Sequence, residues 1–211
     1  MKGSGEPNSS VMDERHYGNG CNVQFEKGQN MAPHMGRRSR ARQTIILIQQ
    51  TESEHHASGH ISAGYDWNLT VRGREQAFRI GEWLKLRNTW SMFVSPQKGA
   101  RQTADEMNRS LCIIPVVREE LREVNAGARN GNTRGWYREN AAPGGTVFDP
   151  DHRDFPNAES DRELRNRVFP FFQDMIASLA YRIIAVSHGT TIRFLQTVMA
   201  GKPRRTGEIS A

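Results

Sequence analysis

Short apolar runs alternate along most of this chain with longer stretches in which apolar residues stand three or four positions apart. The short runs predict strands at about residues 44–48, 90–94, 112–117 and 182–186. The longer stretches predict helices at about residues 72–87, 99–109, 159–179 and 190–200. Strands that alternate with long helices predict an α/β fold, a three-layer sandwich in which helices cover both faces of a mainly parallel sheet.

Two segments lack this periodicity. Residues 1–42 are rich in Gly, Asn, Ser, Pro and Met, and they predict a disordered N-terminal leader before a domain at 43–211. Residues 124–156 contain many Gly, Asn, Arg and Pro, and we expect them to be a loop-like excursion that sets ligand specificity.

Charge, apolar run length and cysteine count argue against nucleic-acid and membrane partners. The net charge is +6, but residues 1–42 hold seven basic and four acidic residues, so the predicted domain itself is nearly balanced. The basic cluster at 37–42 contains no aromatic residue, and we therefore expect no nucleic-acid partner. The longest apolar runs are far shorter than the roughly 18–20 residues of a membrane helix, which argues against a membrane partner. Two cysteines are too few for a disulfide framework and favour the cytoplasm.

Polar residues follow three of the predicted strands. They occupy residues 49–53, 95–103 and 187–190. Because ligands bind beyond the carboxyl ends of parallel strands, these segments should converge on one rim and form the site.

The order and spacing of these segments resemble the histidine phosphatase superfamily, also called phosphoglycerate mutase-like, over about residues 43–203. Residues 69–77 (LTVRGREQA) resemble the family's Leu-Thr-x-x-Gly-x-x-Gln-Ala, and 95–103 (SPQKGARQT) resemble its Ser-x-x-x-Arg-Ala-x-Gln-Thr. Residues 187–189 (SHG) resemble its Ser-His-Gly, 120–123 (ELRE) its Leu-x-Glu, and 156–160 (PNAES) its Pro-x-x-Glu-Ser. The resemblance implies a phosphoglycerate mutase-like fold.

This chain lacks several of the catalytic residues that the family pattern contains. The family uses an imidazole nucleophile, a second imidazole, two arginines around the phosphate and a carboxylic acid that protonates the leaving group. Its usual Arg-His-Gly-Glu-Thr reads QQTES at 49–53, so Gln49 stands at the first arginine position and Gln50 at the nucleophile position. Gly99 stands at the second arginine position. Gln50 cannot form phosphohistidine.

Other residues match the family pattern, and each of them has both a functional and a purely structural interpretation. His188 is a remnant of the phosphate site or only a helix cap, and Glu123 is the proton donor or a solvated charge. His56 stands where the family often has a substrate-contacting Asn. A metal site at His55, His56 and His60 is less favoured than a polar loop, because the spacing matches no known ligand pattern. We therefore expect catalytic residues Glu123 and His188, phosphate contacts from Gln49, Gln50, His56, Gly99 and His188, and no metal or cofactor.

The sequence thus predicts a pseudophosphatase that binds anions weakly, with a small phosphorylated molecule as a candidate partner. An active phosphomonoesterase with a rewired site and a partner-binding scaffold are the alternatives. Family members usually continue through a further strand after the point where this chain ends, so we also expect a C-terminal truncation. Nothing in the sequence indicates an oligomeric state.

Overall fold

Four parallel strands form the sheet at the centre of this computed structural model, which describes residues 43–60, 66–86, 91–140, 151–153, 155–178 and 180–200. The strands are β1 (Thr44–Gln49), β2 (Ser91–Val94), β3 (Val116–Val117) and β4 (Arg182–Ser187). Their spatial order is β1-β4-β2-β3, and each neighbouring pair in this sheet is parallel. The prediction of a parallel sheet is confirmed.

Helices cover both faces of the sheet. In chain order they are α1 (Glu54–Ser58), α2 (Val71–Lys85), α3 (Lys98–Leu111), α4 (Arg134–Asn140), α5 (Asp161–Ala177) and α6 (Gly189–Met199). The alternating side chains of β4 divide the core: Ile184 and Val186 join a cluster with α2 and α3. Ile183 and Ala185 join a second cluster with α5 and α6. The three-layer α/β sandwich is therefore confirmed, because a strand that is buried on both faces needs a helical layer on each.

The third strand is much shorter than the sequence predicted. We expected it at 112–117, but only Val116–Val117 pairs with β2. The backbone groups of Ile113 are bonded instead to the Asn108 side chain, which donates to its carbonyl and accepts its amide at 2.8 Å.

Two short helices were missed by the sequence analysis. Ser53 begins α1 through a capping box, with His56 as the third helical residue. Helix α4 lies inside the segment expected to be loop-like, where Thr133 accepts the amide of Trp136 at 3.1 Å. The rings of Trp136 and Tyr137 contact Phe155, at centroid distances of 5.7 and 5.9 Å. Aromatic packing therefore orders part of a segment whose composition indicated a loop.

Some predictions lie outside the described residues. They are the disordered leader at 1–42 and the truncation at the C-terminal end. Within the described part of the chain, none of the helices is long and apolar enough to span a bilayer.

Gly81 sets the distance between α2 and α3, and its substitution gives a test of the core. A Cβ at this position would lie 2.4 Å from the Met107 carbonyl oxygen and 2.9 Å from its Cα. We expect Gly81→Ala to lower the free energy of unfolding by about 1–3 kcal/mol, measured by urea denaturation. The control is Gly135→Ala in α4, where the added Cβ meets only Thr133 Oγ1 at 3.6 Å and should be neutral or stabilising. Equal unfolding midpoints for the two variants would contradict this account of the helix contact.

Candidate active site

The carboxyl ends of β1, β4 and β2 meet at one edge of the sheet, as the sequence predicted. Gln49 lies opposite Ser187 in the parallel pairing of β1 and β4. The amide of Gln50 donates to Ser187 O at 2.8 Å, and the amide of Ser95 donates to Val186 O at 2.9 Å. Hydrogen bonds that continue past the strand ends thus hold the three polar segments side by side.

Gln50 occupies the floor of this site against Gly99. Only 8% of the Gln50 side chain is exposed. A Cβ built on Gly99 would lie 2.5 Å from Gln50 Oε1 and 3.0 Å from its Cδ. The amide therefore fills the space that any larger residue at position 99 would need, and the two departures from the family pattern are structurally coupled.

A buried hydroxyl links Gln50 to the histidines of α1. Gln50 Nε2 donates to Ser53 Oγ at 3.3 Å, and Ser53 Oγ lies 2.6 Å from His55 Nδ1 and 3.3 Å from His56 Nδ1. The amide of Ser53 also donates to His56 Nδ1 at 3.1 Å, which requires a lone pair on that nitrogen. His56 thus acts as a helix-capping residue in this structure, and its contact with phosphate stays a prediction.

His188 is buried and electrically neutral. It is 3% exposed, and its Nε2 lies 2.7 Å from Ser95 Oγ. Its Nδ1 is also buried and has no hydrogen-bond partner in the described part of the chain. Burial lowers the pKa of His188 to about 3, with smaller contributions from His55 and Arg167. A neutral imidazole can accept or donate a hydrogen bond, but it brings no positive charge to a phosphate.

Glu123 lies at the amino end of α6. Its two carboxylate oxygens accept the amides of Thr190 and Thr191 at 3.3 Å each, and Oε1 also accepts the amide of Val124 at 2.9 Å. Burial raises the pKa of Glu123, while these hydrogen bonds oppose that effect. A raised pKa suits a proton donor. The solvated-charge interpretation does not fit the contacts, whereas the catalytic role itself stays a prediction.

A buried ion pair supports the segment that carries Glu123, and the sequence analysis did not identify it. Arg167 on α5 donates to both carboxylate oxygens of Glu159 at 2.8 Å. Its Nη1 also donates to the carbonyls of Glu120 and Arg122, at 2.8 and 3.1 Å. Glu159 lies outside α5, just before its N-cap Ser160, so helical spacing gave no signal for this pair.

Among the described residues, no cation bonds the floor of the site. Within the described residues, no Lys or Arg side chain forms a hydrogen bond or ion pair with Gln49, Gln50, Gly99 or His188. Lys98 and Arg101 flank Gly99 on α3, and both are exposed. In the same described part of the chain, no cluster of three or more His, Cys, Asp or Glu side chains could hold a metal ion. The site therefore consists of amides, hydroxyls, neutral imidazole and one carboxylate.

Comparisons with known proteins agree with this architecture. The model of the histidine phosphatase superfamily (branch 1) matches residues 45–208. A Hydrogenobacter thermophilus protein with the provisional name phosphoserine phosphatase 2 is 27% identical over 162 residues, covering 74% of this chain and 78% of that protein. A 2,3-bisphosphoglycerate-dependent phosphoglycerate mutase of Rhizobium etli is 28% identical over 167 residues, covering 72% and 78%.

Solved structures show the same fold at lower identity. A mycobacterial glucosyl-3-phosphoglycerate phosphatase superposes with a TM-score of 0.66 at 21% identity, covering 75% of this chain and 80% of that one. The α-ribazole phosphatase of Shigella flexneri gives a TM-score of 0.66 at 22% identity, with the same coverage.

Proposed function

We propose that this chain, which belongs to the histidine phosphatase superfamily, is a pseudophosphatase with at most weak affinity for anions. The observation that carries the proposal is Gln50, whose buried amide lies against Gly99 on the floor of the site. A carboxamide nitrogen shares its lone pair with the carbonyl and cannot attack phosphorus as an imidazole does. Without the covalent step, only positioning and electrostatic assistance remain, and loss of a nucleophile commonly costs several decades of rate.

The electrostatics of the site support the same proposal. Arginines stabilise the charge that develops on a transferring phosphoryl group, and each charge-assisted hydrogen bond contributes roughly 1.5–3 kcal/mol. Gln49 and Gly99 stand where the family pattern has arginines, and His188 is neutral above a pKa of about 3. Loss of two such contacts weakens phosphate affinity by roughly two to four decades.

Restoring the missing groups tests the proposal. We expect the unmodified chain to hydrolyse a generic aryl phosphate at or near the background rate. The double variant Gln50→His with Gly99→Arg should gain at least about tenfold, because Glu123 and His188 are still in place as partners. Gln50→His also removes the amide oxygen that lies 2.5 Å from the Cβ position at residue 99.

A matched variant isolates the nucleophile. Gln50→Asn with Gly99→Arg adds the same cation and removes the same obstruction without supplying an imidazole, so it should stay near background. Equal rates in the unmodified chain and the double variant would contradict the proposal. So would an acid-labile phosphoenzyme on the unmodified chain, which would show an active enzyme with a rewired site.

A further inference from the structure

A cavity of about 380 Å³ lies beside the amino-terminal end of α5, outside the candidate active site. Three arginines, two glutamates, two asparagines and one alanine line it, so its charged side chains carry a net charge of +1. The lining includes none of Gln49, Gln50, Gly99 and His188, the residues at the floor of the candidate active site. A cavity of this volume can hold a small ligand.

Hydrogen bonds between the two chain segments around the cavity hold its walls in place. The Glu159 amide donates to the Asn125 carbonyl at 2.7 Å, and the Asn125 side chain donates to the Asn157 carbonyl at 3.1 Å. The carbonyl of Arg122 accepts from Arg167 Nη1 at 3.1 Å. The backbone that carries the lining side chains is therefore ordered before a ligand arrives, which lowers the entropic cost of binding.

Both glutamates of the cavity already have their charge matched by an arginine. Arg167 donates to both carboxylate oxygens of Glu159. Arg153 donates to both carboxylate oxygens of Glu163, at 2.7 and 2.6 Å. Two of the three arginines thus neutralise the two glutamates, and the surplus positive charge belongs to Arg122.

Arg122 has unused hydrogen-bonding capacity. A guanidinium carries five N–H groups, yet this side chain forms no hydrogen bond with any described residue. Its Nη2 lies 3.8 Å from Glu159 Oε1, which is beyond hydrogen-bond distance. The Asn157 carboxamide lines the same cavity and likewise forms no hydrogen bond within the described part of the chain. Surplus donors and one surplus positive charge are the complement of an acceptor with a single negative charge.

We propose that this cavity is a binding site for a small monocarboxylate, with the carboxylate on the Arg122 guanidinium and a polar part of the ligand at Asn157. The planar fork of a guanidinium matches the two oxygens of a carboxylate. A second negative charge on the ligand would meet Glu159 or Glu163 without an arginine to balance it, which disfavours dicarboxylates and the phosphate dianion. The proposal is independent of the proposed function, because it concerns a cavity separate from the candidate active site.

Three ligands with the same carbon skeleton test which charge the cavity prefers: succinamate is a monoanion, succinate a dianion and succinamide neutral. The full chain, labelled with ¹⁵N-arginine, is titrated with each at pH 8 and constant ionic strength. The Arg122 Nε signal is assigned by its loss in Arg122→Gln. Succinamate should shift this signal saturably, with a Kd at least about tenfold below that of succinamide.

Three results of these titrations would overturn the proposal. The first is an Arg122 signal that succinamate leaves unchanged, and the second is equal binding of succinamide, which would show that charge plays no part. The third is tighter binding of succinate or inorganic phosphate, which would exclude a site for monoanions.

Removal of the guanidinium tests the same site by calorimetry. Arg122→Gln should weaken succinamate binding by roughly ten- to a hundredfold, the effect of one charge-assisted contact. The control is Arg165→Gln, which removes the same charge from an exposed position of α5 that does not line the cavity, and it should bind like the unmodified chain. Equal losses in the two variants would mean that the net charge of +6 attracts anions in general, and the site assignment would be wrong.

Two further variants separate charge from geometry. Arg122→Lys keeps the charge but lacks the planar fork, so its affinity should lie between those of Arg122→Gln and the unmodified chain. Asn157→Gly suits the positive φ of 61° at this position and removes the carboxamide. It should weaken succinamate binding by roughly two- to tenfold and leave acetate binding unchanged, because acetate has no second polar group. Unchanged succinamate affinity in Asn157→Gly would contradict the placement of the ligand's polar part.

Discussion

Arg167→Leu is expected to lower the free energy of unfolding by about 3–5 kcal/mol, because it leaves the buried Glu159 carboxylate with only a 3.8 Å contact to the partly exposed Arg122 and the Asn125 amide. Only 6% of the Glu159 side chain and 12% of the Arg167 side chain are exposed, so water cannot replace the lost hydrogen bonds. The variant also releases the carbonyls of Glu120 and Arg122. Urea denaturation followed by circular dichroism gives the change in the unfolding midpoint.

An exposed ion pair provides the control for Arg167. Arg162 likewise donates to both carboxylate oxygens of Asp151, at 2.6 and 2.9 Å, but both side chains are more than half exposed. We therefore expect Arg162→Ala to cost no more than about 1 kcal/mol. Adding Glu159→Gln to Arg167→Leu should restore part of the loss, since it removes a buried charge that only the 3.8 Å contact with Arg122 still compensates. A double variant no more stable than Arg167→Leu would indicate that lost packing, rather than the buried charge, dominates.

Acidification is expected to destabilise the fold through His188. Its pKa is about 3 in the folded chain, against an unperturbed value of about 6.5. Between these values the unfolded chain binds the proton and the folded chain does not, so stability falls as the pH decreases. The contribution is fully present above about pH 6.5, and roughly 3 kcal/mol of it is lost between pH 7 and pH 4.

The His188→Gln variant should show a shallower loss of stability over the same pH range, measured as urea midpoints at half-unit pH intervals. The exposed His152→Gln serves as the control and should follow the unmodified chain. The opposite contribution of Glu123, whose pKa is raised by burial, increases stability on acidification and partly offsets the His188 effect. Parallel pH profiles for the unmodified chain and His188→Gln would refute this assignment.

The sequence was sufficient for the class of fold and for the convergence of the three polar segments at one edge of the sheet. Strand β4 reads as a continuous apolar run, which is typical of a strand buried on both faces, and the flanking helices repeat their apolar residues every three or four positions. Both patterns are local, so they can be read without knowledge of the partner elements. The short β3 and the helix α4 could not be read in this way. The first is limited to the two residues that pair with β2, and the second packs its rings against Phe155.

The identity of the groups at the candidate site was likewise determined by the sequence, because Gln50 lacks an imidazole in any fold. Only the tertiary structure decided their environment. It placed Gln50 Oε1 against Gly99, left His188 Nδ1 without a partner and brought the Glu123 carboxylate to the amides of α6. Charge state and hydrogen-bond capacity depend on burial and on neighbours distant in the chain. Residue types therefore show which side chains stand at the candidate site, while the fold decides their charge state and hydrogen-bond capacity.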